Sequence, residues 1–369
     1  MMKNIPENII RAGFDPGYGN GKGAVVMADR IKTFILPSLV GLTAAERKDG
    51  LTMGGIFRGR RGAAPLRVAF DGFEYLVGPG VEEYATVLMD RMDYNRFTDS
   101  AELRAMTYAM LHHIVENQVN PERNSHAHNI ALAMALPVEV VEREADADRV
   151  ERGIRAWLLG EHRFYVNNVE TSVNVVSVRA KISQPLAAWF EWGLNLAGQW
   201  SQEKEAFIKA PAWIGDLGYN TFDVLLIEGG QISDRSRGDQ LGMRRAGERL
   251  GDILKRKYSL QLSPRSLDGL IRQWLHDGKV ETWVEGRSMD VTAETRQAVS
   301  SLLTDVAKFF EQAAGKARQA RIVWVGGGAL ALATRMQSAY PHAGVSYEPI
   351  TTIARGLAKM AQRPGWLVS

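Results

Sequence analysis

No cysteine occurs among the 369 residues. That absence excludes disulfides, thiolate metal centres and cysteine nucleophiles together, and it suits a reducing compartment. Charge of one sign is also lacking: 45 Lys plus Arg stand against 42 Asp plus Glu, a formal net charge of +3. So small an excess implies no nucleic-acid footprint by charge alone. No run reaches the roughly 18 consecutive apolar residues of a membrane span. Residues Met1 to Arg11 carry Lys3, Asn4, Glu7 and Asn8 and no apolar core, so no secretory signal is expected. The expectation is a soluble, cytoplasmic protein. Hydrophobic residues at 45% and charged residues at 24% give an ordinary globular balance, in a chain long enough for two domains.

Strand and helix patterns alternate along the chain, which predicts the α/β class. Strands are expected at Lys32 to Leu36, ended by Pro37, at Phe73 to Val77, at Asn129 to Leu136 and at Arg321 to Val325. Helical spacing marks 101 to 118, 143 to 159, 186 to 200, 248 to 258, 264 to 275, 292 to 318 and 354 to 362. Residues 41 to 67 are rich in glycine and arginine and read as an irregular excursion.

Two short stretches repeat each other. Asp15-Pro16-Gly17-Tyr18-Gly19-Asn20 precedes the apolar run Ala24 to Met27, and Asp216-Leu217-Gly218-Tyr219-Asn220-Thr221 precedes Val224 to Ile227. Each reads as a turn leading into a strand, which suggests two similar halves. The first turn packs Gly17, Gly19, Gly21 and Gly23 around Asn20 and Lys22. Glycines let several N–H groups converge on an anion, Lys22 adds a positive charge, and Asp15 can hold a Mg²⁺-bound water. Taken alone, the stretch reads equally as a phosphate loop and as a turn that needs glycine for shape. It is neither a Walker A loop, which would need Gly at Pro16 and Ser or Thr at Gly23, nor a dinucleotide loop, which would need Gly at Lys22.

Two further pieces carry chemistry. Gly326-Gly327-Gly328 follows the strand at 321 to 325 and opens a helix at Ala329. More glycine stands there than a tight turn requires, which favours close approach of a ligand. Gln184-Pro185-Leu186-Ala187-Ala188 starts a helix, where an amide can orient a water without acting as a base. Alone, Gln184 reads as a polar cap.

Taken in order, the pieces resemble the actin-like ATPase superfamily. Asp15-x-Gly17-x-x-Asn20-x-Lys22 resembles its first phosphate loop, and Asp216-x-Gly218-x-Asn220-Thr221-x-Asp223 its second. Gln184-Pro185-x-Ala187-Ala188 is similar to the Glu-Pro-x-Ala-Ala stretch of DnaK-type chaperones and MreB. Val325 to Leu330 resembles the adenosine motif, and Ala246-Gly247-Glu248-Arg249-Leu250 a weaker nucleotide-side motif. The wording Asp-x-Gly-Tyr-Gly-Asn-x-Lys, with Leu36-Pro37-Ser38 and Tyr75 to Gly78, is similar to the ParM/StbA group and archaeal actin-like proteins. Tyr18 and Tyr219 depart from the Ser, Thr or Gly common beside phosphate in the family.

The resemblance implies two actin-like (ribonuclease-H-like) domains with a nucleotide cleft between them. Domain I would take 1–184 and 349–369, with a variable subdomain at about 39–77; domain II would take 185–348. It implies ATP, or GTP in its place, with Mg²⁺ held through water by Asp15 and Asp216. Gln184, Asp216 and Asp15 would be catalytic. Gly17, Tyr18, Gly19, Asn20, Lys22, Gly218, Tyr219, Asn220, Thr221, Gly247, Gly326, Gly327 and Gly328 would bind the nucleotide. Self-association into filaments follows, with a DNA-binding adaptor for plasmid segregation or a cytoskeletal role. The alternative is a small-molecule kinase of the same superfamily, for which no substrate-domain signature stands out. A chaperone would need a peptide-binding domain for which the length leaves no room.

Overall fold

The computed structural model describes residues 9–42, 64–89, 98–118, 128–201, 208–233, 235–314, 319–363 and 365–366. In chain order the first half contributes β1 (Ile9–Pro16), β2 (Asn20–Val26), β3 (Ile31–Pro37), β4 (Val40–Leu42), β5 (Leu66–Phe70), β6 (Phe73–Val77), α1 (Val81–Tyr84) and β7 (Val87–Met89). It continues with α2 (Ala101–Gln118), β8 (His128–Met134), α3 (Val138–Val141), α4 (Glu144–Leu158), β9 (Gly160–Val166), β10 (Val169–Arg179) and α5 (Gln184–Gly193). The second half holds β11 (Ala212–Leu217), β12 (Phe222–Glu228), β13 (Gln231–Ile232), β14 (Arg237–Asp239), α6 (Met243–Tyr258), α7 (Pro264–Asp277), β15 (Glu281–Val284) and β16 (Arg287–Asp290). It ends with α8 (Thr292–Ala314), β17 (Arg321–Val325), α9 (Ala329–Met336), β18 (Gly344–Val345) and α10 (Thr352–Ala361).

Two sheets organise the molecule. The first runs β3-β2-β1-β8-β10-β9-β5-β6-β4-β7, and the second runs β13-β12-β11-β17-β18 with β14 on β12. Each is centred on the same unit, an antiparallel hairpin whose first strand also pairs in parallel: β1 with β8, β11 with β17. Alternation along β1 decides its neighbours. Ala12 and Phe14 join the core with α2, while Gly13 faces α10 so closely that a Cβ would strike its backbone. In β11, Trp213 and Leu217 face the core with α8, and Ile214 faces α5.

Between the sheets lies a layer of α5 and α10. Ala187 and Trp189 pack with Ile353, Leu357 and Met360, and with Ala133, Ile214 and Val325 from both sheets. Gly356 sits beneath the Ala187 carbonyl, where no side chain fits. Glu191 pairs with Arg355 at 3.0 Å and Lys359 at 2.9 Å. This layer joins the halves of the molecule, and it carries Gln184 at its start.

Most expected elements occur, with shifted ends. The helix expected at 186 to 200 stops at Gly193. Asn195 Oδ1 accepts from the N–H groups of Ala197 and Gln199, and Gly198 turns the chain at φ 72°, so a turn replaces the last helical turns. The excursion at 41 to 67 is bounded by strands, β4 and the start of β5, and residues 43–63 lie outside the described residues. The helix expected from 248 begins earlier, at Met243, and the β9–β10 and β15–β16 hairpins had no expectation. Among the described residues no helix is long and apolar enough to cross a membrane.

Candidate functional site

The two repeated turns face each other. Gly19 lies against Tyr219, whose Cβ would stand 2.8 Å from a Cβ placed there. Between the turns opens a cavity of about 330 Å³. The first turn lines it with Gly17, Tyr18, Gly19 and Asn20, the second with Gly218, Tyr219, Asn220 and Thr221. Asp15, Lys22, Gln184, Asp216, Gly326 and Gly327 complete the convergence. Residues read from four separate motifs therefore meet on one cavity. Gly247 and Gly328 stand outside its lining. Gly247 lines a smaller adjoining pocket of about 150 Å³ with Tyr219, Met243 and Asp268. Gly328 caps α9, its N–H donating to the Leu217 carbonyl at 3.0 Å.

Hairpin register sets the chemistry. Asp15 stands opposite Lys22, and Lys22 Nζ lies 2.9 Å from Asp15 Oδ2. Gln184 Nε2 donates to Asp15 Oδ1 at 2.8 Å, so α5 reaches the first turn from 169 positions away. Asp15 is fully buried and both of its oxygens are bound. In the second hairpin Asp216 stands opposite Asp223. Thr221 Oγ1 donates to Asp223 Oδ2 at 2.8 Å, but Asp216 Oδ1, Asp223 Oδ1 and Asn220 Oδ1 are buried without a partner among the described residues. Burial pushes the Asp216 carboxyl up to about 7; Lys22 pulls it down and Asp15 pushes it up. Asp223 is raised well above the carboxylate range by burial first and by Asp216 second.

Gly326 is required by close approach. It lies at φ 87°, and a side chain there would collide with the Asp216 carboxylate. Among the described residues nothing stands within 4 Å of the Cβ position at Gly327, so that residue opens onto space. The first N–H groups of α6 hold the second turn: Gly242, Met243 and Arg244 donate to the carbonyls of Asn220, Gly218 and Tyr219.

One wall of the cavity had no expectation. Asp268, Ile271, Arg272, Leu275 and His276 come from one face of α7, and Leu330 and Ile350 stand nearby. Arg272 Nε lies 2.6 Å from Asp268 Oδ2. The helical period of 264 to 275 gave α7 a face, but nothing local says which cavity that face meets. Asp15 and Asp216 are one, buried polar end, and this wall, which mixes Ile271, Leu275, Leu330 and Ile350 with the Asp268–Arg272 pair, is the other.

Family comparison agrees with this layout. The model of the N-terminal domain of actin-like proteins matches residues 13–186, and that of the C-terminal domain of the archaeal MreB-like actin homologue matches 214–338. The chain belongs to the actin-like superfamily and is built of two actin-like domains. Among solved structures, the archaeal actin homologue Ta0583 is 15% identical with a TM-score of 0.72, covering 96% of this chain and 100% of that one. A 15-stranded ParM filament from Clostridium botulinum is 17% identical with a TM-score of 0.69, covering 96% and 99%. ParM of Bacillus thuringiensis with AMPPNP is 14% identical with a TM-score of 0.61, covering 95% and 98%. No curated protein matches the chain.

Proposed function

We propose that this chain is an ATPase that binds ATP with Mg²⁺ between its two domains and assembles into filaments according to nucleotide state. The observation that carries the reading is the meeting of Asp15, Lys22, Gln184 and Asp216 on one cavity between paired hairpins. Asp216 Oδ1 and Asn220 Oδ1, buried and unpartnered, are acceptors that a bound ligand or its ordered waters would satisfy. Two carboxylates beside a single lysine would repel a triphosphate, so the donor set calls for a divalent cation. Mg²⁺, when bound, neutralises charge on the phosphate oxygens. Asp15 and Asp216 would hold it through water; among the described residues no three acidic or histidine side chains form a direct cage.

In this reading Lys22 donates to a phosphate oxygen. The turns Gly17 to Asn20 and Gly218 to Thr221 bring bare backbone to the phosphates. Gly326 and Gly327 receive the nucleoside, with Gly247 and Gly328 framing that side. Gln184 orients the attacking water, since an amide places a water by hydrogen bonds and has no useful pKa. Its Nε2 is committed to Asp15, which leaves Oε1 to accept. Closure of the halves about the α5–α10 layer would bring Gln184 and the second turn onto the γ-phosphate. Ligand-dependent closure of this kind shifts a two-state equilibrium and couples assembly to hydrolysis.

Support for the filament comes from the ParM-type neighbours, one of them solved as a filament. By the same likeness the cargo is plasmid DNA held through an adaptor, or the role is cytoskeletal. The test is pelleting and light scattering with phosphate release, in ATP, GTP or no nucleotide, each with Mg²⁺. Assembly that needs a triphosphate and reverses on hydrolysis is expected. Nucleotide binding without polymer in any nucleotide, salt or crowding condition would overturn the filament and favour a kinase.

A further inference from the structure

One tryptophan is held out from the molecule, and one pocket elsewhere is lined with tryptophans. β15 and β16 form a two-stranded hairpin apart from both sheets. Glu285 and Gly286 close it at φ 49° and 76°, the two-residue turn that matches strand twist. Its base is fixed: Val280 and Val291 are buried, and the Val291 N–H donates to the Val280 carbonyl at 3.0 Å. Yet Trp283 is 72% exposed. Glu281, two residues away on the same face and opposite Asp290, is already paired with Lys279 at 2.7 Å. Glu285 at the tip has no ion-pair partner among the described residues.

The pocket, of about 430 Å³, lies beside the α5–α10 layer. Trp189, Phe190, Trp200, Met360, Arg363 and Trp366 form most of its lining, and no carboxylate lines it among the described residues. Trp189 and Trp200 meet edge to face with centroids 5.0 Å apart, and Arg363 lies over Trp200 at 5.5 Å. Among the described residues, Trp189 Nε1, Trp366 Nε1 and Arg363 Nη1 are buried donors with no acceptor. The pocket thus offers aromatic faces, positive charge and unmet N–H groups. The complementary object is a flat apolar side chain accompanied by carbonyls and a carboxylate.

We infer that the β15–β16 hairpin of one copy docks in the aromatic pocket of a second copy, with Trp283 as the anchor and Glu285 facing Arg363. The inference rests on the filament reading and names a contact within it. Because hairpin and pocket are different patches, the contact is heterologous: each copy offers a free hairpin at one end and a free pocket at the other. Such contacts repeat head to tail and build filaments unless the rotation closes a ring. A buried aromatic anchor in a desolvated pocket is where interface energy concentrates. Glu285 at the hairpin tip and Arg363 in the pocket also match in charge.

The experiment compares wild type with Trp283→Ala and Arg363→Glu in Mg²⁺ and ATP. Calorimetry should show nucleotide binding unchanged in both variants. The critical concentration for pelleting should rise roughly 30-fold or more, the effect of deleting an interface hot spot. In sedimentation velocity each variant alone should stay monomeric. Mixed, they should form a one-to-one dimer, since Trp283→Ala keeps its pocket and Arg363→Glu keeps its hairpin. Should Arg363→Glu not fold, Ile208→Arg blocks the pocket from another wall. Wild-type polymer that survives Trp283→Ala, or a mixture of folded variants that stays monomeric, overturns this contact alone. Wild type that neither polymerises nor dimerises through the hairpin overturns the filament reading and the contact with it.

Discussion

In the first hairpin Asp15 stands opposite Lys22; in the second Asp216 stands opposite Asp223. The backbones follow one plan, an antiparallel pair with a glycine-bearing turn at the cavity. The chemistry of the two carboxylates differs because of what register and packing put beside each. Asp15 is held from both sides, by an ion pair and by the Gln184 amide. Asp216 has a second buried carboxyl behind it and one oxygen with no partner. A buried charge is tolerated where it is paired, and a buried carboxyl without a partner moves toward its neutral form. One hairpin is thus internally satisfied and preorganised, while the other keeps unmet capacity for a ligand.

That contrast can be tested from the largest effect to the smallest. Asp216→Ala removes the unsatisfied carboxylate, and we expect hydrolysis to fall by about 10³-fold, close to 4 kcal/mol, while most ATP affinity remains. Phosphate release at the wild-type rate in a single-turnover assay would sink the assignment. Lys22→Ala strips the ion pair from Asp15 and leaves a buried charge. Thermal unfolding should show a loss of roughly 3 kcal/mol, and calorimetry weaker nucleotide binding. Unchanged affinity would make the first turn purely structural.

Gln184→Ala frees Asp15 Oδ1 and removes the inferred water positioner. Turnover should slow by about 10²-fold while filaments still form and persist longer. Normal hydrolysis, or loss of ATP binding, would make Gln184 a structural cap. The smallest effect, taken per pH unit, is the pH dependence of the nucleotide-free protein. The folded Asp216 carboxyl, at about 7, lies above its unfolded value. Its contribution to stability is therefore complete below about pH 4, is lost as pH rises, and is gone above about 7, with a slope of about 1.4 kcal/mol per pH unit at most. Asp216→Asn should flatten the fall in Tm between pH 5 and 7; an unchanged slope would place the proton elsewhere.

Much of the site was legible because its motifs are local. Asp15, Gly17 and Lys22 lie within one hairpin, as do Asp216, Gly218 and Thr221, so turn chemistry and strand alternation reveal both. The glycines at 326 to 328 were legible as strand, bare backbone and helix start. The face of α7 was not. Asp268 and Arg272 show helical spacing, and that spacing looks the same on a solvated helix. Nor could the end of α5 be read, because Leu194 to Trp200 is as apolar as a helix face and only the Asn195 hydrogen bonds and Gly198 turn it aside. Trp283 and Trp200 look alike in the chain, yet one is presented to solvent and the other is packed in a pocket wall.

The sequence by itself determined the α/β class, the two repeated turns, most of the residues that line the cavity between them, and the family they resemble. Those follow from patterns a few residues long, which the backbone's narrow set of conformations converts directly into hairpins and helix starts. Only the tertiary structure decided that Gln184 touches Asp15 across 169 positions, that Lys22 pairs with Asp15 while Asp223 stands opposite Asp216, and that α7 walls the cavity. Desolvation and charge pairing depend on what lies within a few ångströms in space. Two carboxylates in nearly identical local sequence therefore end with different partners, for reasons that no short stretch of the chain contains.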